Sequence, residues 1–252
     1  MQRKPYFEPS LPRVFAHRGL ATSAPENTLL AFSAAVGLGV QFIETDVHGS
    51  SDGVAVISHD RDLTRLAGIR SAVSDYSMEQ LRGIDLGHGQ GFSSLAETLD
   101  AFPETRFNID IKSLDAVQPT VDAIRSANAT ARVLVTSFSE ARRLAAVRQL
   151  PGVATSAGAR RFAGALVAGK LALRPVLGRV LREVDCVQIP ETYGPIRITT
   201  PPMIARLHAA GVEVHVWTIN DESTMHALLD LGVDGLVTDR ADLALAVLKA
   251  RS

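Results

Sequence analysis

Eight short runs of apolar, largely β-branched residues recur along the chain, and stretches of helical spacing separate most of them. The first two lie near residues 14 and 41; the others span 107–111, 133–136, 153–155, 186–189, 213–218 and 235–238. Such alternation predicts a parallel sheet, because each helix has to carry the chain back to the end where the next strand starts. Eight units in 252 residues predict a (β/α)8 TIM barrel, with a doubly wound open sheet as the alternative. The polar residues favour the barrel. His17, Glu44, Asp46, Asp110, Lys112, Ser137, Trp217, Asn220 and Asp239 end these runs, at the face where barrels carry their sites. No linker or low-complexity stretch divides residues 1–252, which read as a single domain.

The densest chemistry lies between residues 44 and 60. Side chains alternate along a strand, so Glu44 and Asp46 in Ile43-Glu44-Thr45-Asp46-Val47 point the same way. Two carboxylates on one face repel unless a cation, a cationic side chain or a proton offsets them. A hard divalent ion with oxygen ligands is the first candidate, and an ion pair with Arg18 or Lys112 is the alternative. Asp52-Gly53 reads as a hairpin turn, and the short strand through Val54, Val56 and Ile57 then returns His59 toward the carboxylates. His48 would share the face of Asp46 only if the strand ran regularly through Val47, and it is left out of the ligand set. Upstream, Asn27 or Thr28 is placed to cap a helix that reaches Leu38.

Composition removes several classes of function. Hydrophobic residues make up 46% of the chain and the formal net charge is -1, which suits a globular protein and gives no surface for nucleic acid. The lone Cys186 excludes an internal disulfide or a cysteine-based zinc site, and nothing favours an oxidising compartment. Residues 1–13 hold no apolar run of a signal peptide, and no run is long enough to span a bilayer. A cytoplasmic location is the expectation.

Together, His17-Arg18-Gly19, Pro25-Glu26-Asn27-Thr28, Glu44-x-Asp46-Val47, Asp52-Gly53, His59-Asp60, Leu63 and Arg65 resemble the glycerophosphodiester phosphodiesterase family. Asn108 to Lys112, Trp217 to Asn220 and Asp234 to Asp239 are similar to its later motifs, so the likeness covers nearly the whole chain. It implies a barrel hydrolase that takes a small glycerophosphodiester and releases sn-glycerol 3-phosphate and an alcohol. One divalent metal ion is implied, Mg2+ or Ca2+ with Mn2+ as a further option, held by Glu44, Asp46 and Asp110. His17 is implied as general base and His59 as general acid. Arg18 and Lys112 would bind the phosphate, and Trp217 would wall the substrate pocket. The chemistry agrees, since a diester with a poor alkoxide leaving group needs charge stabilisation and two proton transfers. Two histidines with pKa values near the ordinary ~6.5 can divide those transfers at neutral pH.

Departures from the family pattern bear on substrate. Asp110 stands where glutamate is usual, and Arg240 where proline is common after Asp239. Thr238-Asp239 is expected to close the last strand and cap the helix that follows. The segment between the second and third barrel strands, aromatic-rich in the family, narrows to about 87–94 with Phe92 its only aromatic, which should open that side of the pocket. Residues 160–184 carry six Arg or Lys and a single acid, Glu183, among apolar residues at helical spacing. They are expected as two short helices, with peripheral membrane contact as one role and a solvated outer face as the other. Two rival functions therefore stand beside the main one: phospholipase-D-like action on lysophospholipids, and a non-catalytic phosphate-ester-binding barrel. The oligomeric state is not legible.

Overall fold

The computed structural model describes residues 4–251. Its strands are β1 (Arg13–His17), β2 (Phe42–Gly49), β3 (Ala55–Ile57), β4 (Arg106–Ile111), β5 (Val133–Thr136), β6 (Ala154–Thr155), β7 (Cys186–Pro190), β8 (Thr192–Tyr193), β9 (Ile196–Arg197), β10 (Glu213–Trp217) and β11 (Gly235–Thr238). Eight of them pair in the order β6-β5-β4-β2-β1-β11-β10-β7, all parallel. A parallel bridge from Ser156 to Cys186 joins the two ends of that row, which makes the sheet a barrel. The expected (β/α)8 architecture is observed, and the open-sheet alternative falls away.

Register then places the site. β1 on β2 sets His17 beside Glu44, while β2 on β4 sets Glu44 beside Asn108 and Asp46 beside Asp110. Because β11 returns to β1 with Thr238 opposite Ala16, Asp239 arrives next to His17. The Asp52-Gly53 turn forms as read: β3 runs antiparallel to β2, with Gly53 in the left-handed region at φ 78°.

The far end of the barrel is sealed. Tyr6 and Phe7, on a short 3-10 turn, pack with Phe15, Phe42, Leu134, Ala154, Cys186 and Val237. Arg13 lies under this plug with 1% exposure, and its guanidinium donates to both Glu213 oxygens and to the carbonyls of Phe7 and Pro9. A buried guanidinium is tolerated because each of these donors has an acceptor. Among the described residues this plug fills that end, and the cavity lies at the C-terminal ends of the strands.

Between the strands and the outer helices lies the main apolar layer. The first helix, Leu29–Gly37, starts at Thr28, whose side chain accepts from the Ala31 N–H. Val56 of β3 and, beyond that strand, Leu63, Val73, Met78, Leu81 and Phe92 form a separate cluster outside the barrel. Phe92 is buried there rather than facing the cleft. Residues 160–184 fold as expected into two helices, Ala159–Lys170 and Arg174–Leu181, broken at Ala172, which sits at φ 55°. No helix among the described residues is long and apolar enough to cross a membrane.

Candidate active site

All eight sequence-predicted site residues line one cavity of about 600 Å³ at the C-terminal ends of the strands: His17, Arg18, Glu44, Asp46, His59, Asp110, Lys112 and Trp217. Both histidines are anchored by a carboxylate at the same ring atom. His17 Nδ1 lies 2.6 Å from Asp239 Oδ1, and His59 Nδ1 lies 2.8 Å from Asp60 Oδ1. An ionised carboxylate only accepts, so each Nδ1 carries its proton and each Nε2 is the free working nitrogen. His17 Nε2 stands 3.8 Å from Glu44 Oε2. Burial disfavours charge on the His17 ring, yet the Asp239 hydrogen bond and the nearby Glu44 outweigh it and raise its pKa.

A chain of alternating charges runs from the His59 anchor to the carboxylates of the cavity floor. Asp60 accepts from Arg65 Nε at 2.6 Å, Arg65 forks onto both oxygens of Glu26, and Glu26 accepts from Arg18 at 2.9 Å. Arg18 Nε in turn approaches Asp46 Oδ2 at 3.5 Å. Lys112 Nζ closes the series, 2.8 Å from Asp46 Oδ1 and 2.7 Å from Asp110 Oδ2. Asn27, held by Thr45, donates to Asp46 Oδ2 at 3.2 Å, so Asp46 uses both oxygens. Burial alone would raise Asp46, but Lys112 and Arg18 hold it below the ordinary carboxylate range. The pairing with Lys112 and Arg18 raised from sequence is thus present.

Positive charge nevertheless falls short on one side of this floor. Glu44 Oε2, Asp110 Oδ1 and Asn108 Oδ1 are buried and accept no hydrogen bond. Burial first, and Asp46 second, push the Glu44 carboxyl up to about 8. Burial likewise raises Asp110. Three buried hard oxygens without a hydrogen-bond donor, all on residues that line one cavity, suit a divalent cation, because such an ion prefers carboxylate and carbonyl donors. Among the described residues, no three His, Cys, Asp or Glu groups already stand as a preformed metal cage. The donor set fits a metal, with Lys112 sharing Asp46 and Asp110.

The remaining expectations separate cleanly. Trp217 walls the cavity and meets Phe138 edge to face at 6.1 Å. β2 runs regularly through Val47, so His48 shares the face of Asp46, yet it does not line the cavity: its Nε2 lies 3.3 Å from the His59 carbonyl, where it steadies the hairpin end. Asp60 orients His59. Asp239 corrects the sequence reading: it grips His17 and the Asn220 amide, while the backbone N–H of Arg240 is taken by Thr238 Oγ1. Sequence reasoning set Asp239 at the site face but gave it only a capping role, and it gave Asn108, which lines the cavity, no role. Closure of an eight-stranded barrel places its last strand beside its first, and that signal could have found Asp239.

The model of the glycerophosphoryl diester phosphodiesterase family matches residues 17–243. A Mycobacterium tuberculosis protein named "probable glycerophosphodiester phosphodiesterase 2" is 45% identical over 238 residues, covering 94% of this chain and 90% of its own. Two solved structures share the fold: a glycerophosphodiester phosphodiesterase from Agrobacterium tumefaciens, and an Oleispira antarctica phosphodiesterase in complex with the product sn-glycerol-3-phosphate. The first is 23% identical at TM-score 0.79, covering 95% of this chain and 100% of that one; the second is 23% identical at TM-score 0.78, covering 95% and 97%. With the family model matching most of the chain and both histidines inside the match, the chain belongs to the glycerophosphoryl diester phosphodiesterase family.

Proposed function

We propose that the protein hydrolyses glycerophosphodiesters to sn-glycerol 3-phosphate and an alcohol, with His17 as general base, His59 as general acid and one divalent metal ion. The observation that carries this reading is the pair of histidines, each fixed at Nδ1 by a carboxylate, in one cavity floored by buried carboxylates. Neutral His17 takes a proton at Nε2 from water or from a neighbouring substrate hydroxyl, and Asp239 stabilises the imidazolium that results. Protonated His59 gives its Nε2 proton to the departing alcohol oxygen while Asp60 and Arg65 hold the ring. Arg18 supplies positive charge to the phosphate, and Lys112 keeps Asp46 and Asp110 ionised and in place. Glu44, Asp46 and Asp110 would hold the metal, which when bound polarises a phosphoryl oxygen and offsets the charge of the diester. The product-bound Oleispira neighbour supports a glycerol 3-phosphate product from this fold.

Release of glycerol 3-phosphate from glycerophosphocholine tests it. Chelator-treated protein should be silent, and Mg2+, Ca2+ or Mn2+ should restore release. Release that is unaffected by chelation would remove the metal from the proposal. Silence with every ion, in folded protein, would remove the activity.

A further inference from the structure

The wall across the barrel from the histidines holds polar groups that the chain itself leaves unpaired. In the closed strand order β6 lies half-way round from β1, and β7 half-way round from β2. Alternation sets Gln188 on the face of Cys186 and Ser156 on the face of Ala154. Cys186 and Ala154 belong to the plug, so Ser156 and Gln188 lie one layer above it, in the cavity lining. Ser156 is 0% exposed, and its Oγ and the Gln188 Nε2 are buried without a hydrogen bond. The Cys186 thiol near Ser156 is a weak partner. Buried polar groups in folded chains are paired, so these two await partners from outside the chain.

Charge on this side decides what kind of partner fits. The Ala159–Lys170 helix starts here, and Ala157, Ala159 and Arg160 line the cavity. Its N-cap, Gly158, offers no side chain; the Phe138 carbonyl takes the Ala159 N–H, and the N–H groups of Arg160 and Arg161 have no acceptor among the described residues. Arg160 is exposed, and its guanidinium has no ion pair among the described residues. Around this helix start Arg142, Arg143, Arg160 and Arg161 stand against Glu140 and Glu183: Glu140 is held by Arg143 and Arg161, Glu183 reaches Arg161 at 3.5 Å, and Arg142 donates only to the Ser137 hydroxyl. The acids of the lining, Glu44, Asp46 and Asp110, all lie on β2 and β4. Free donors beside surplus positive charge call for an acceptor that is itself charged.

We propose that Ser156, Gln188, Arg160 and the start of the Ala159–Lys170 helix form an anion subsite, which holds a carboxylate or phosphate carried by the leaving alcohol. Glycerol has no charge, so a second anion in such a diester can stand only on the alcohol. The inference rests on the hydrolytic reading and narrows its substrate class. In the reaction, water adds to phosphorus, the bond from phosphorus to the alcohol oxygen breaks, and the alcohol leaves with the proton from His59.

The test compares two matched pairs of substrates: the glycerophosphoryl esters of 4-hydroxybutyrate and of its neutral amide, and glycerophosphoglycerol with and without a terminal phosphate. In at least one pair kcat/KM should favour the anion by about tenfold to hundredfold, the worth of a charge-assisted hydrogen bond. The pair that responds tells a carboxylate from a phosphate. Arg160→Gln should cut the preference to a few-fold, and Arg160→Glu should reverse it. Gln188→Leu should reduce it, with Ser156→Ala as the milder variant should the first fold poorly. Affinity of the same four compounds for metal-replete His59→Ala protein, measured by calorimetry, reads the subsite without turnover. Charge-dependent affinity that Arg160→Gln removes upholds the subsite even where hydrolysis fails, so the two readings fail separately. Rates and affinities equal within both pairs would overturn the proposal, as would a preference left intact by Arg160→Gln and Gln188→Leu, which would put the anion on the metal instead.

Discussion

Glu44→Gln isolates the electrostatic debt of the cavity floor. In the folded chain burial and Asp46 push this carboxyl up to about 8, against an ordinary 4.5 when unfolded. Between those values the folded protein holds a proton that the unfolded chain has released, so stability without metal falls as pH rises through the window. At ~1.4 kcal/mol per pKa unit the loss has an upper bound on the order of 5 kcal/mol, reduced by relaxation of the coupled neighbours. Glutamine does not titrate. Urea unfolding of metal-free protein should therefore show wild type losing a few kcal/mol from about pH 5 to about pH 8 relative to the variant. At the upper end the variant should be the more stable of the two. A divalent ion added there should stabilise wild type and leave the variant nearly unmoved. Parallel pH profiles for the two proteins would refute the reasoning, since the buried charge would then have another counterpart.

Three further perturbations read other parts of the site. Asp239→Asn removes the carboxylate that helps raise the His17 pKa against burial, so the acid limb of kcat/KM should move to lower pH; kcat should fall by about 10²–10⁴ as the ring loses its fixed tautomer, and an unmoved limb would cut the link to His17. Asp110→Glu should keep activity and metal affinity within about tenfold, because Asp110 lines the cavity with its Oδ1 free of any hydrogen bond and glutamate adds only reach; metal titration checks it. Gly19→Ala puts a Cβ 2.7 Å from the Ala31 backbone at φ +83°, and thermal unfolding should fall by several degrees, for a cost of about 2 kcal/mol or more.

What was legible in the sequence follows from locality. The eight barrel strands and the face shared by Glu44 and Asp46 need only the period of a strand, and the Asp52-Gly53 hairpin that returns His59 needs only turn chemistry. Asp239 needed more: its partner His17 lies 222 residues away, and a strand-end Thr-Asp pair ahead of a helix looks locally like a cap. Asn108 was hidden because an amide in a strand carries no charge to mark it, although register sets it beside Glu44. The plug of Tyr6 and Phe7 over Arg13 escaped for the opposite reason, since two aromatics among prolines show no periodicity until a barrel end receives them.

Leaving-group dependence tests the division of labour between the histidines most directly. A glycerophosphoryl 4-nitrophenyl ester departs without a proton, whereas glycerophosphocholine needs one at its leaving oxygen. His59→Ala should lose about 10²–10⁴ in kcat on glycerophosphocholine and retain most of its rate on the nitrophenyl ester, while His17→Ala should lose comparably on both. Equal losses on the two esters in His59→Ala, or rescue by the nitrophenyl ester in His17→Ala instead, would contradict the assignment.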